Sequence, residues 1–292
     1  MSTGVRGCLK CMLMVGVSVW LSSCGGDKGC PTGPPAGPGP AGFITVCAGT
    51  YQIGSPADEP GRFGDETQHW IRFTRGFLMG QTEVTQGEWE SVMGSNPSGR
   101  AGPSRPVEKV SWLAAVAYCN ARSSVEGLTP AYTINGSDVT WDRKANGYRL
   151  PTESEWEVAC RAGSGEAFTN GPITQTECSP LDPNLDRVGW YCGNADHQTH
   201  DVKGKDANGW GLYDMHGNVW EWCWDWYNST YPQGTQGDPV EDPAGPGSGS
   251  RRVVRGGSWS LCAKLCRSAD RGFLTPGVRA GNGGFRLART AD

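Results

Sequence analysis

The stretch YRLPTESEWEVACRAG, residues 148–163, sets the frame for the fold. After Pro151, Thr152 offers a hydroxyl and Glu155 a carboxylate three residues on. That pairing is the capping box that starts a helix. Trp156 and Cys160 then fall one turn apart, on one face. A second stretch, NGWGLYDMHGNVWEWCWDWY at 208–227, behaves differently. From Trp220 its indoles recur at every second position, through Trp222, Trp224 and Trp226. Period two is the strand pattern; it could line a groove, but packing into a core is the better reading. Outward from these, Thr85 and Glu88 form another capping box, predicting a helix to about Met93 before Gly94 and Pro97. Ser111 can cap a helix over WLAAVAYCNAR, residues 112–122. Short β-like runs stand at 43–47, 69–79, 253–259 and 284–288. Long Gly/Pro/Asn/Asp stretches join the elements, as at 181–211 and 232–250. Few helices with scattered strands predict an irregular, loop-rich α+β domain. Loops this long in a compact domain need pinning by metal or disulfide.

Composition agrees. The chain has 292 residues, formal charge −4, 44 Gly, 20 Pro and 13 Trp against 7 Phe and 8 Tyr. The acidic balance excludes a nucleic-acid binder held by phosphate contacts. Gly shows no three-residue period, which excludes a collagen-like chain. At 37 % hydrophobic residues the chain is too apolar for disorder. Buried indoles, rather than long helices, are expected to supply much of the core. No repeat of fixed period points to a solenoid or propeller.

The N-terminus reads as an address. Arg6 and Lys10 precede the apolar run CMLMVGVSVWL at 11–21, a signal-peptide pattern too short for a comfortable transmembrane helix. Leu21-Ser22-Ser23-Cys24 resembles the lipobox of bacterial lipoproteins, in which the Cys24 thiol is lipidated. Residues 1–23 are thus expected as a lipoprotein signal peptide, 24–41 as a Gly/Pro-rich tether and 42–292 as the folded domain. Gly25 after the cysteine favours the outer membrane over the inner. The expected location is exported and lipid-anchored to a bacterial membrane.

Eight segments, in order over 43–290, resemble one family: GTYQIGSP (49–56), FLMGQTEVTQGEWESVMGSNPS (77–98), PVEKVSWLAAVAYCNAR (106–122), the two stretches quoted above, RVVRGGSW (252–259), CRSADR (266–271) and GFRLA (284–288). The RLPTE-EWE and GNVWEW strings are its most specific marks. This is the formylglycine-generating enzyme, or sulfatase-modifying factor, family. The resemblance implies a compact α+β domain related to C-type lectins and commonly calcium-bound. It implies, in the active members, oxidation of a peptide cysteine to formylglycine by oxygen and Cu(I) held on two cysteines. Soft Cu(I) takes thiolate ligands.

In those enzymes the pair follows GGSY as x-C-x4-C. Here GGSW, 256–259, is followed by Cys262 and Cys266 with spacing x3 and the first cysteine one residue late. A one-residue slip in an extended segment reverses the face of a side chain. Cys262 and Cys266 are therefore catalytic candidates only as a departure from the pattern, with Ser258 and Trp220 beside the site. Cys178 and Cys192 enclose an Asn/Asp-rich loop of suitable size for a local disulfide. The resemblance brings Cys160 and Cys223 toward Cys266 or Cys262, implying further disulfides there. It also implies calcium at Asp214, Gly217, Val219 and Glu221, and a second site using Asn184 and Leu185. Ca2+ takes six to eight oxygens from such carboxylates and carbonyls. His197, His200 and Asp201 could be imagined as an iron site, but lie in a polar loop.

Three functions follow. One is a noncatalytic, lectin-like module for a peptide, glycan or protein, held to the membrane by an N-terminal lipid. Another is an accessory lipoprotein that supports a neighbouring enzyme. The third is a copper-dependent oxidoreductase of sulfatase maturation. The altered cysteine spacing weighs against the third.

Overall fold

The computed structural model describes residues 36–291. The lipobox and Cys24 lie outside the described residues. Among the described residues, strand Ala36–Pro38 runs antiparallel to Phe43–Val46. The end of the expected tether thus joins the sheet, because Pro38 at an edge forfeits no ladder bond that a neighbour needs.

A five-stranded antiparallel sheet holds both ends of the domain. Its order is Ala36–Pro38, Phe43–Val46, Phe77–Gly80, Ala288–Thr290, Tyr148–Arg149. A three-stranded sheet pairs Val240–Glu241, His69–Phe73 and Gly49–Ile53. The expected run 69–79 is therefore two strands in two sheets, broken between Phe73 and Phe77. A four-stranded sheet runs Gly272–Leu274, Arg252–Arg255, Trp220–Trp226, Gly283–Gly284. The expected run 253–259 is a strand only over Arg252–Arg255, because Gly256 and Gly257 take positive φ of 93° and 75° and turn the chain.

The helices start where their caps stand. Helix α1, Gln86–Met93, has the full capping box of Thr85 and Glu88 and ends on a left-handed Gly94. Helix α2, Trp112–Val125, is capped by Ser111. Helix α3, Glu153–Arg161, has the capping box of Thr152 and Glu155, and all nine of its residues are buried. Helix α4, Pro183–Val188, is capped by Asp182 and lies inside a stretch expected as loop. It is a short α-helix with Pro at its first position, where the missing N–H costs nothing. The loop beside it is pinned by the expected disulfide, Cys178–Cys192, with Cα atoms 5.3 Å apart.

Indoles do carry the core. Trp112, Trp156 and Trp222 are among the largest fully buried side chains. Trp112 Nε1 donates to the Cys223 carbonyl at 2.9 Å, and Trp222 Nε1 to the Val110 carbonyl at 3.0 Å. The two rings thus staple strand Trp220–Trp226 to the start of α2. Three arginines, Arg255, Arg267 and Arg286, are wholly buried. Each is matched by carboxylates, as buried charge requires. Among the described residues, no helix is long and apolar enough to cross a membrane.

Candidate functional site

The turn after GGSW brings the candidate cysteines into view. Residues Ala263–Cys266 form one 3-10 turn with Cys262 in extended conformation before it. Cys262 is half-buried and Cys266 is fully buried, and both are free thiols. Gly257 explains the second: a Cβ there would stand 2.5 Å from Cys266 Sγ. The left-handed Gly257 is the floor on which that sulfur packs. Burial pushes both thiols up, Cys266 strongly. Copper would have to displace both protons, one of them from the fully buried Cys266, so this arrangement fits the Cu(I) pair poorly.

The disulfides expected at Cys266, Cys262, Cys160 and Cys223 are absent, since all four are free. Cys160 Sγ lies 3.5 Å from Ser268 Oγ and 3.7 Å from His216 Nε2. Its thiol is pushed up to about 12 by desolvation. Cys223 Sγ faces the Glu221 carbonyl at 3.8 Å. These buried sulfurs behave as small apolar groups with a weak donor. His216 Nδ1 donates to the Cys266 carbonyl and its Nε2 accepts from the Thr169 amide. Burial holds its pKa down to about 4, so the ring is neutral.

The calcium candidates converge on a buried charge cluster. Glu221 takes Arg286 on both oxygens, at 2.6 and 2.7 Å, and Trp156 Nε1 at 2.7 Å. Asp214 Oδ2 accepts the Lys203 amide at 2.8 Å, while its buried Oδ1 has no hydrogen-bond partner. Glu83, not expected from the sequence, is the third carboxylate. It accepts from Asn218 Nδ2 at 2.8 Å and from the Val219 amide at 3.1 Å. Desolvation raises Glu83 well above its usual range and pushes Asp214 up to about 6; each carboxylate also opposes its neighbours. One guanidinium faces three buried acids. The orphaned Asp214 oxygen and this excess of negative charge are what a cation at Asp214 would answer, while Glu221 is already engaged on both oxygens.

Asn184 and Leu185 belong to the expected second site rather than to this cluster. They begin α4, where the Asn184 carbonyl already accepts Asn170 Nδ2 and the Leu185 carbonyl the Gly189 amide. His200 stacks on Trp190 at 3.8 Å and its Nε2 meets the Ala195 carbonyl. Among the described residues, no group of three His, Cys, Asp or Glu side chains is set to hold a metal. A site at Asp214 would thus depend on backbone carbonyls.

Beyond the cysteines lies a polar cleft. Ser258 is fully buried, its Oγ 3.1 Å from Ser260 Oγ, and Asn282 Nδ2 donates to both hydroxyls at 3.1 and 3.0 Å. Next to them, Trp259, Glu108, Lys109, Arg100 and Gln198 border a cavity of about 240 Å³. Glu108 Oε2 is buried without a partner, and Lys109 holds φ 60°. Left-handed non-glycine backbone costs about 1–3 kcal/mol and gathers at functional sites. Trp220, by contrast, leans on Gly272 and belongs to a different cavity.

A loop-rich α+β domain with indole staples, buried arginine–carboxylate pairs and a cleft beside GGSW defines a class. A model of the sulfatase-modifying factor enzyme 1-like domain matches residues 34–291. The chain belongs to that family. A chaperone protein LppX of Paenibacillus barcinonensis is 38 % identical over 246 residues, 73 % of this chain and 80 % of that protein. The formylglycine-generating enzyme of Streptomyces coelicolor is 38 % identical over 182 residues, 59 % of this chain and 57 % of the enzyme. The chain therefore spans little more than half of that enzyme's length. Among solved structures, Treponema denticola variable protein 1 superposes with TM-score 0.73 at 35 % identity, over 85 % of this chain and 95 % of that one. PvdO from Pseudomonas aeruginosa gives TM-score 0.69 at 25 % identity, over 85 % and 94 %.

Proposed function

We propose that the chain is an exported, lipid-tethered binding or accessory module that has lost the copper chemistry of its family. The observation that carries this is the setting of Cys266: fully buried, with its sulfur packed on Gly257, and raised by desolvation, while Cys262 stands in the extended segment before the turn. The polar cleft beside Ser258 supports binding, and the similarity to a protein named a chaperone supports an accessory role. The Cys178–Cys192 disulfide suits an oxidising compartment, and the lipobox supplies Cys24 as the acyl acceptor.

The test is turnover. The reduced, copper-loaded protein is incubated under oxygen with a peptide carrying Cys-x-Pro-x-Arg, and the peptide mass is followed. No formylglycine is expected, since misplacing a reacting group by an ångström costs on the order of a hundredfold. Product that disappears in Cys262→Ser and Cys266→Ser would establish the oxidoreductase instead.

Calcium, in this reading, is structural: held at Asp214 and Glu221, it would offset the excess negative charge there. Chelation is expected to lower the melting temperature of the wild type, by about 2.7 kcal/mol of stability at a hundredfold excess of ion over Kd. Asp214→Asn should respond weakly. An equal response of the two proteins would remove Asp214 as a ligand.

A further inference from the structure

The Cys178–Cys192 disulfide has a free thiol for a neighbour. Cys178 is exposed and Cys192 is half-buried. The Cys192 amide donates to the Leu261 carbonyl at 3.0 Å, one residue before Cys262. On the other arm the Lys264 amide donates to the Thr176 carbonyl at 3.0 Å, and Lys264 Nζ pairs with Glu177 Oε1 at 2.8 Å. Glu177 directly precedes Cys178 and acts electrostatically on the Cys262 thiol. Residues 261–264 are thus fastened to both arms of the disulfide, with Cys262 between the two fastenings. Packing agrees: Cys192 lies against the apolar cluster that holds Ala263 and Cys266.

Backbone bonds of this kind hold two chains about 4.7–4.9 Å apart. A disulfide spans Cα separations of about 4.4–6.8 Å, so Cys262 stands where Cys192 can be bridged. Of the free cysteines among the described residues, Cys119, Cys160, Cys223 and Cys266 are buried, whereas Cys262 reaches solvent. Exchange needs a thiolate with access to a disulfide sulfur, and disulfides open to solvent are the labile ones. Burial, and Glu177 after it, hold the Cys262 thiol above its usual range, while Lys264 pulls the other way. The attacking thiolate is therefore a minor form and the exchange is slow. The leaving sulfur is better placed: an exposed Cys178 thiolate keeps its hydration, which a half-buried one forfeits in part.

We propose that Cys178, Cys192 and Cys262 form a thiol–disulfide exchange site that turns Cys178 into an accessible modification site for thiol-reactive groups. The Cys262 thiolate attacks Cys192 Sγ. The Cys192–Cys262 bond forms as the Cys178–Cys192 bond breaks, and Cys178 leaves as the thiolate. The proton given up by Cys262 passes to solvent. One thiol and one disulfide stand on each side of the step, so no oxidant or reductant is consumed. The inference is independent of the cation cluster at Asp214 and of the cleft beside Ser258.

The test traps the released sulfur. The full chain, kept oxidised, is held with iodoacetamide at about pH 8.5, where an ordinary thiol is half ionised. It is then quenched in acid, digested with pepsin at low pH so that bridges do not reshuffle, and mapped by mass spectrometry. Wild type is expected to yield Cys178 alkylated together with a Cys192–Cys262 bridge. Cys262→Ser should carry at least roughly tenfold less label on Cys178. Cys178→Ser should be isolated with Cys192 and Cys262 joined. Alkylation confined to Cys262, with Cys178–Cys192 intact in every chain, would overturn the proposal. Equal label on Cys178 in wild type and Cys262→Ser would overturn it too, as would free Cys192 and Cys262 in folded Cys178→Ser. None of these outcomes bears on the formylglycine assay or on the reading it tests.

Discussion

Arg286→Ala is expected to leave the chain unfolded, or nearly so, at neutral pH. Arg286 is wholly buried. Besides its two bonds to Glu221, it donates to the carbonyls of Gly80 at 3.1 Å and Tyr213 at 3.0 Å. It is the cation among Glu83, Asp214 and Glu221, and all three acids raise its own pKa or are answered by it. Breaking a buried pair by removing one member costs about 3–5 kcal/mol, against a total stability of roughly 5–15 kcal/mol. Here the loss strands three acids rather than one. The pH dependence has a definite sign. Glu83 and Asp214 have folded-state pKa values above their unfolded ones, Asp214 at about 6. The folded state therefore binds the extra protons, and stability falls as pH rises through that range. The defect of Arg286→Ala should be greatest at pH 7 and above and partly relieved toward pH 5. Urea denaturation followed by circular dichroism at both values measures it. A variant within about 1 kcal/mol of wild type at pH 7 would contradict the charge accounting.

Trp222→Ala should cost about 3–5 kcal/mol, the range for emptying a large aromatic site. The ring is 1 % exposed and its Nε1 satisfies the Val110 carbonyl. Truncation opens a cavity and also strands that carbonyl, so the upper part of the range is expected. Trp222→Phe keeps most of the volume and loses the hydrogen bond, for about 1–2 kcal/mol. Trp259→Ala, half-buried at the cleft, should change stability by less than about 0.5 kcal/mol. Thermal or urea melts of the three variants give the order. A small effect at Trp222 would mean that the indole staple to α2 is not what holds strand Trp220–Trp226 in place.

Local chemistry was legible in the sequence wherever a short-range rule governs it. Thr85/Glu88 and Thr152/Glu155 were read as capping boxes because the partners lie three residues apart, and both boxes form. Cys178 and Cys192 were read as a pair because the loop between them is the right size. Helix α4 leaves no such mark: its cap, Asp182, sits among prolines and polar residues that carry no apolar period. The place of Glu83 was invisible, since it meets Asn218 and Val219 across 135 and 136 positions. Cys160 and Cys266 illustrate the same limit in reverse. The chain brings both near His216, but Cys160 turns to Ser268 and Cys266 to Gly257, and no bond joins them.

The sequence by itself determined the family, the α+β class, the helix starts, the reliance on tryptophan and the departure of the Cys262–Cys266 spacing. Each follows from residue identity and neighbours within a few positions, where capping, periodicity and loop closure act. Only the tertiary structure decided the rest. It sealed Cys266 behind Gly257, set Arg286 among three acids, and left an Asp214 oxygen without a hydrogen bond. Those outcomes depend on which distant groups share a low-dielectric interior, where a charge without a partner is costly and the count of nearby guanidinium groups fixes what remains unpaired.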